Sequence, residues 1–156
     1  MDLIKPFLKY RKRDVNLNIA ISDKNEKKQF YIMSAPTLNT FSKEEALKNE
    51  KTNNVKIVKT LTIECFSLEY ILRKYNNNVM PDFLSLDVEG WELEILKSID
   101  LNIYRPKVIC VESYDVEGMK KIKRNDLINY IMIYKYSIYA DTGMNTILID
   151  SRYVNY

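Results

Sequence analysis

The sequence predicts an α/β fold: a doubly wound, mostly parallel sheet with an antiparallel C-terminal hairpin. Three observations carry this. Strand-like runs alternate with amphipathic helical stretches through the middle of the chain. Lys107 to Val111 is almost wholly apolar, as a parallel strand covered on both faces is. Tyr136 to Ala140 and Thr146 to Ile149 are joined through Asp141-Thr-Gly143, a hairpin signal.

The elements follow in order. Leu3 to Arg13 reads as a short helix with Ile4, Phe7 and Leu8 as its apolar stripe; Pro6 is tolerated in a first turn. Val15 to Ile21 alternates apolar and polar, a strand pattern, and Ser22-Asp23-Lys24-Asn25 reads as a turn leading to a hairpin partner over Gln29 to Met33. Ser34 to Asn54 is polar and irregular, a surface loop or lid. Within it Thr40 or Ser42 is placed to cap a helical turn from Lys43 to Lys48, with Glu45 at capping-box spacing after Ser42. Val55 to Ile63 is rich in β-branched residues and reads as a strand. Ser67 caps a helix to about Tyr75, which Asn76-Asn77-Asn78 ends and Pro81 blocks. Phe83 to Val88 is an apolar run of buried-strand length, and Gly90 turns it into the helical stretch around Leu93 and Leu96. After the strand at Lys107, Tyr114 to Arg124 reads as a loop with some helix, and Asp126 caps a helix from Leu127 to about Tyr134.

At 156 residues the chain is expected to form a single domain, and 46% hydrophobic with 29% charged residues is an ordinary soluble composition. A net charge of +3, with basic residues dispersed or in short clusters, argues against nucleic-acid binding. Cys65 and Cys110 have no metal-ligand spacing, no signal peptide is visible, and no apolar run reaches membrane-spanning length, so a cytoplasmic location is expected. There is no histidine, which excludes Ser-His-Asp, Cys-His and histidine-metal chemistry. The three glycines, Gly90, Gly118 and Gly143, form neither GxGxxG nor a P-loop.

What remains for chemistry is carboxylates at strand ends. Asp87 and Glu89 sit where an apolar strand becomes a turn, and Glu112 ends the next strand. Consecutive parallel strands tend to be neighbours, so the three acids are candidates to converge at the carboxyl edge of the sheet, where open α/β folds place ligands. Without histidine a general base has to be a carboxylate, a lysine or a tyrosine. Clustered carboxylates share a proton or hold a hard cation such as Mg²⁺, Ca²⁺ or Mn²⁺. The competing reading is a solvated acidic turn in which Glu89 and Glu92 stabilise a helix dipole. It explains Asp87 less well, since that residue ends an otherwise apolar strand. A paired-carboxylate glycosidase ranks low, because Asp87 and Glu89 share one short turn and hardly flank a sugar from two sides.

Asp82-Phe-Leu-Ser-Leu-Asp-Val-Glu-Gly-Trp-Glu-Leu-Glu-Ile-Leu resembles the DF-x-x-x-D-x-EG-x-E-x-x-x-L signature of FkbM-type S-adenosylmethionine-dependent methyltransferases. Leu17-Asn-Ile-Ala-Ile-Ser-Asp23, Leu38-Asn-Thr-Phe-Ser42, Thr60-Leu-Thr-Ile63, Arg105-Pro-Lys-Val-Ile-Cys-Val-Glu112 and Asn145-Thr-Ile-Leu-Ile149 resemble other segments of that family. The resemblance implies a Rossmann-like methyltransferase sheet and an O-methyltransferase that uses S-adenosylmethionine on a sugar or other hydroxylated metabolite. A divalent metal requirement stays open. It implies Asp87, Glu89 and Glu112 as catalytic candidates and Ser22, Asp23 and Asp87 as cofactor-binding candidates, although a plain hairpin turn is the stronger reading of Ser22 and Asp23. Family members begin with a strand and a glycine-rich loop, and this chain resembles the part after them. The expectation is therefore a domain truncated at its N-terminus, lacking the first strands, with an exposed sheet edge prone to self-association. The alternative function is a non-catalytic remnant or interaction module that keeps the fold.

Overall fold

The computed structural model describes residues 4–52, 54–88, 90–117 and 120–154. They form two compact units: residues 4–20 with 24–66, and residues 21–23 with 67–154.

The first unit opens with α1 (Ile4–Tyr10), none of whose residues is buried. Val15 to Ile19 is not a strand; only β1 (Ala20–Ser22) is, and its Ile21 and Ser22 belong to the second unit. The Asn16 amide donates to the carbonyls of Arg11 (2.9 Å) and Asp14 (3.2 Å), a local bond that competes with a strand ladder. The expected hairpin partner, β2 (Glu26–Met33), pairs instead with β3 (Ile57–Ser67), antiparallel from Glu26 opposite Cys65 to Met33 opposite Ile57. The segment read as irregular holds a one-turn 3₁₀ helix (Pro36–Leu38) and α2 (Lys43–Thr52). Half of the capping box forms: the Glu45 amide donates to Ser42 Oγ at 3.1 Å, whereas the Glu45 carboxylate accepts from Thr40 Oγ1 at 2.8 Å.

The second unit holds the core. Ser67 Oγ caps α3 (Leu68–Tyr75) by accepting from the Tyr70 amide, as its sequence position predicts. Asn77 and Asn78 leave the helix with positive φ, a conformation asparagine tolerates best among residues with a Cβ. Then come β4 (Phe83–Leu86), α4 (Glu92–Lys97), β5 (Val108–Glu112), β6 (Tyr114–Glu117), β7 (Lys120–Lys123), α5 (Asn125–Ile133), β8 (Tyr136–Asp141) and β9 (Asn145–Asp150). The main sheet runs β4-β5-β9-β8. It is mixed rather than mostly parallel: β4 and β5 are parallel, while β5–β9 and β9–β8 are antiparallel. The chain is thus α/β with mixed sheets.

Apolar periodicity explains which faces are covered. On α4, Leu93, Ile95 and Leu96 are buried while Glu94 and Lys97 are exposed; on α5, Leu127, Ile128 and Ile131 are buried. They pack with Ile109 and Val111 of the inner strand β5 and with Leu148 of β9. Each such side chain contributes about 1.5–3 kcal/mol on burial. β4 departs from the buried-strand expectation, because it is an edge of this sheet: Leu86 is buried, but Phe83 is 57% exposed. The stretch read as loop and helix, Tyr114 to Arg124, is the β6–β7 hairpin. Arg124, not Asp126, takes the N-cap position of α5, and it makes no side-chain cap there.

Candidate functional site

The parallel register of β4 and β5 sets the geometry. Leu86 lies opposite Val111, so Asp87 and Glu112 are the next residues on adjacent strands. Adjacent strands lie about 4.8 Å apart, and residues at equal register leave the sheet on the same side. Leu86 and Val111 are both buried; Glu112 ends β5 and Asp87 follows β4, each one residue beyond this registered pair at the carboxyl edge. Asp87 is exposed and Glu112 half-buried. No hydrogen bond or ion pair holds the Asp87 side chain among the described residues, so its carboxylate is available to a ligand. Glu89 lies outside the described residues.

Ser22 and Asp23, the other sequence candidates, leave β1 within the second unit. Ser22 is buried, and its hydroxyl donates to Asp23 Oδ1 at 2.8 Å. That bond is what a bend after a short strand uses, and it also orients a carboxylate acceptor.

The turn after Asp87 is held by residues whose partnership the sequence does not show. Glu92, read there as a helix-dipole acid, is fully buried at the start of α4. Its Oε1 accepts from the backbone amides of Val88 (2.9 Å) and Gly90 (3.4 Å), and its Oε2 is paired with the Arg124 guanidinium. Arg124 Nη2 also donates to the Gly90 carbonyl at 3.4 Å, and the Arg124 amide donates to the carbonyl of Ser113, the residue after Glu112, at 2.8 Å. Ser113 and Thr146, both buried, share a hydroxyl–hydroxyl bond of 2.7 Å that ties β5 to β9.

The β6–β7 hairpin leaves directly after Ser113. Lys123 Nζ donates to Asp141 Oδ2 at 2.5 Å, Tyr114 donates to the same oxygen at 3.0 Å, and Lys121 donates to the Gly143 carbonyl at 3.1 Å. The Lys123 hydrogen bond, then the Gly143 amide, hold the Asp141 carboxyl below the ordinary carboxylate range. The hairpin is thereby docked on the β8–β9 turn, beside the carboxyl end of β5. The Arg124–Glu92 pair joins residues 32 positions apart, a partnership that only the fold reveals.

Among the described residues no group of three or more histidine, cysteine, aspartate or glutamate side chains is arranged to hold a metal ion. Two acids on neighbouring strand ends instead suit a ligand that is cationic or rich in hydroxyls. The opposite end of the sheet carries a different cluster. Asp150 is fully buried and accepts two forked bonds from Arg105, at 2.7 and 2.9 Å, and further bonds from Arg152. Burial alone would raise its pKa, but the Arg105 and Arg152 hydrogen bonds outweigh that and hold the carboxyl well below its usual range. The buried Asp150 carboxylate is satisfied on both oxygens by these two arginines, so this cluster is structural.

A family model described as the methyltransferase FkbM domain matches residues 3–138 of the 156-residue chain. No curated protein and no solved structure matches the chain significantly. Among the described residues no helix is long and apolar enough to cross a membrane.

Proposed function

Because this chain belongs to the methyltransferase FkbM domain family, we propose that it is an S-adenosylmethionine-dependent O-methyltransferase acting on a hydroxyl of a sugar or similar metabolite, with a Rossmann-like sheet behind the site. Family members are generally S-adenosylmethionine-dependent. The observation that supports the reading is the pair of carboxylates, Asp87 and Glu112, each one residue beyond the registered pair Leu86–Val111 of two neighbouring parallel strands. Their chemistry fits a cofactor that presents a sulfonium, an ammonium and ribose hydroxyls. When bound, that cofactor supplies an electrophilic methyl group. Asp87 is the base: its carboxylate takes the proton of the acceptor hydroxyl as that oxygen becomes nucleophilic. Glu112 and Glu89 orient the acceptor, and Ser22 with Asp23 offers acceptors to the cofactor. Holding the reactants at contact distance contributes most of the remaining acceleration. Two free cysteines, Cys65 and Cys110, accord with a cytoplasmic setting. The proposed partners are the small-molecule or glycan acceptor and a second copy of the chain, joined at the β4 edge.

The alternative reading is a non-catalytic module of the same fold. Isothermal titration with S-adenosylmethionine separates the two. The enzyme reading expects saturable binding, weakened in Asp87→Asn, and a loss of about 10²–10⁴-fold in methyl transfer for that variant once an acceptor is in hand. Absence of binding at millimolar cofactor, in a protein extended upstream to include the family's first strand and loop, sinks the enzyme reading and leaves the module.

A further inference from the structure

We infer that Glu92 and Arg124 are the positioning residues of this site, holding the two acid-tipped strand ends in one register. The inference rests on the reading of Asp87 and Glu112 as that site. A glutamate in the first turn of a helix ordinarily faces water; Glu92 is fully buried and reaches backwards. One of its oxygens accepts from the amides of Val88 and Gly90, which flank the turn directly after Asp87. Gly90 there has φ of +96°, a conformation that glycine adopts without steric cost and side-chain-bearing residues rarely do. The other oxygen meets Arg124, whose side chain also reaches the Gly90 carbonyl. The Arg124 backbone, in turn, is bonded to Ser113, next to Glu112. One arginine and one glutamate therefore connect the residue after β5 to the residue after Asp87.

Stability alone is a poor reason for the pair. Desolvating two charges offsets much of their attraction, and apolar replacements of equal volume are often as stable. Geometry is the better reason. An apolar pair would fill the space but would leave the Val88 and Gly90 amides without their acceptor, and the Asp87 turn free to drift. A displacement of about 1 Å at reacting groups costs on the order of a hundredfold in rate. The guanidinium is held by Glu92 and is not itself the group exposed to the ligand: its side chain is 12% exposed.

The test compares Arg124→Met, Arg124→Lys and Glu92→Gln with Arg73→Met, a control that breaks only the exposed Glu69 pair on α3. Three quantities are read on each: the melting midpoint, amide hydrogen exchange at Val88 and Gly90, and S-adenosylmethionine affinity by titration. Arg124→Met is expected to accelerate exchange at those two amides selectively and to weaken cofactor binding by about tenfold, with Arg124→Lys recovering part of both and the control changing neither. Glu92→Gln keeps the shape and an amide acceptor, so it carries the test if Arg124→Met does not fold. A lowered melting midpoint with unchanged affinity, or exchange raised evenly across the amides of β5 and α5, overturns the inference. If the parent protein binds no cofactor, the functional reading fails separately, and the exchange pattern alone still decides whether the pair holds the turn.

Discussion

Asp150 shows how one buried acid constrains an end of the sheet. Its carboxylate is closed in by two arginines, and Tyr136 lies under Arg105 with 4.8 Å between guanidinium carbon and ring centre. The Tyr136 hydroxyl donates to the Pro106 carbonyl at 2.6 Å, and burial pushes that phenol up to about 12. Removing the acid leaves the guanidiniums uncompensated, so Asp150→Asn is expected to destabilise the fold by about 3–5 kcal/mol in denaturant melts. The pH dependence follows from the direction of the shift. A carboxyl held below its unfolded pKa of about 3.9 contributes stability that is fully present above that value and is lost as pH falls through the lower folded pKa. The parent protein should therefore lose stability from about pH 4 downward, and Asp150→Asn should lose less over the same range. Parallel pH curves for the two proteins would refute this. Nothing in the sequence marks Asp150 as different from the other aspartates; its partner Arg105 is 45 residues away and is brought to it by β9 pairing with β5.

At the scale of elements, β4 departs from its own apolar pattern. Its apolar run promised a covered strand, yet it is the outer member of its sheet, with Phe83 and Ser85 exposed. An edge strand with an exposed aromatic and no bulge offers its unpaired backbone groups to another chain. Sedimentation or size-exclusion runs are expected to show concentration-dependent self-association, reduced in Phe83→Lys, which adds a charge to the edge. A monomer at every concentration would argue against the proposed second copy. The other edge strand, β8, has an irregular register between Ile138 and Ala140, a device that blunts pairing. The β6–β7 pair has a signal in the sequence: Tyr114 and Val116 alternate with Asp115 and Glu117, and Glu117 lies opposite Lys120 in the ladder. Its density of charge hid the period-two pattern. Helix α3, by contrast, was readable end to end, because its cap and its terminating asparagines are local signals.

For the molecule as a whole, apolar burial is uneven between the two units. The connected core lies in the second unit, from Leu72 to Leu148, whereas Met33, Ala46 and Cys65 are the buried hydrophobic residues described in the first. Protection from hydrogen exchange scales with such burial. The amides of β5 and α5 are therefore expected to be the slowest to exchange, and those of α2 and the β2–β3 pair to exchange sooner; equal protection in both units would contradict this.

The sequence by itself determined the α/β class, the strand and helix positions from Ser67 onward apart from the β6–β7 hairpin, and the two acids that end β4 and β5. These depend on periods of two and 3.6 residues, on caps and on breakers, all interactions within a few residues of chain. Only the tertiary structure decided that the sheet is mixed, that β2 pairs with β3, that β4 stands at an edge, and that Glu92 belongs with Arg124. Each of those is a pairing across many residues, chosen by which apolar faces and buried charges can be satisfied together. A carboxylate in a helix's first turn reads the same from sequence whether it faces water or, as Glu92 does, holds the turn beside Asp87.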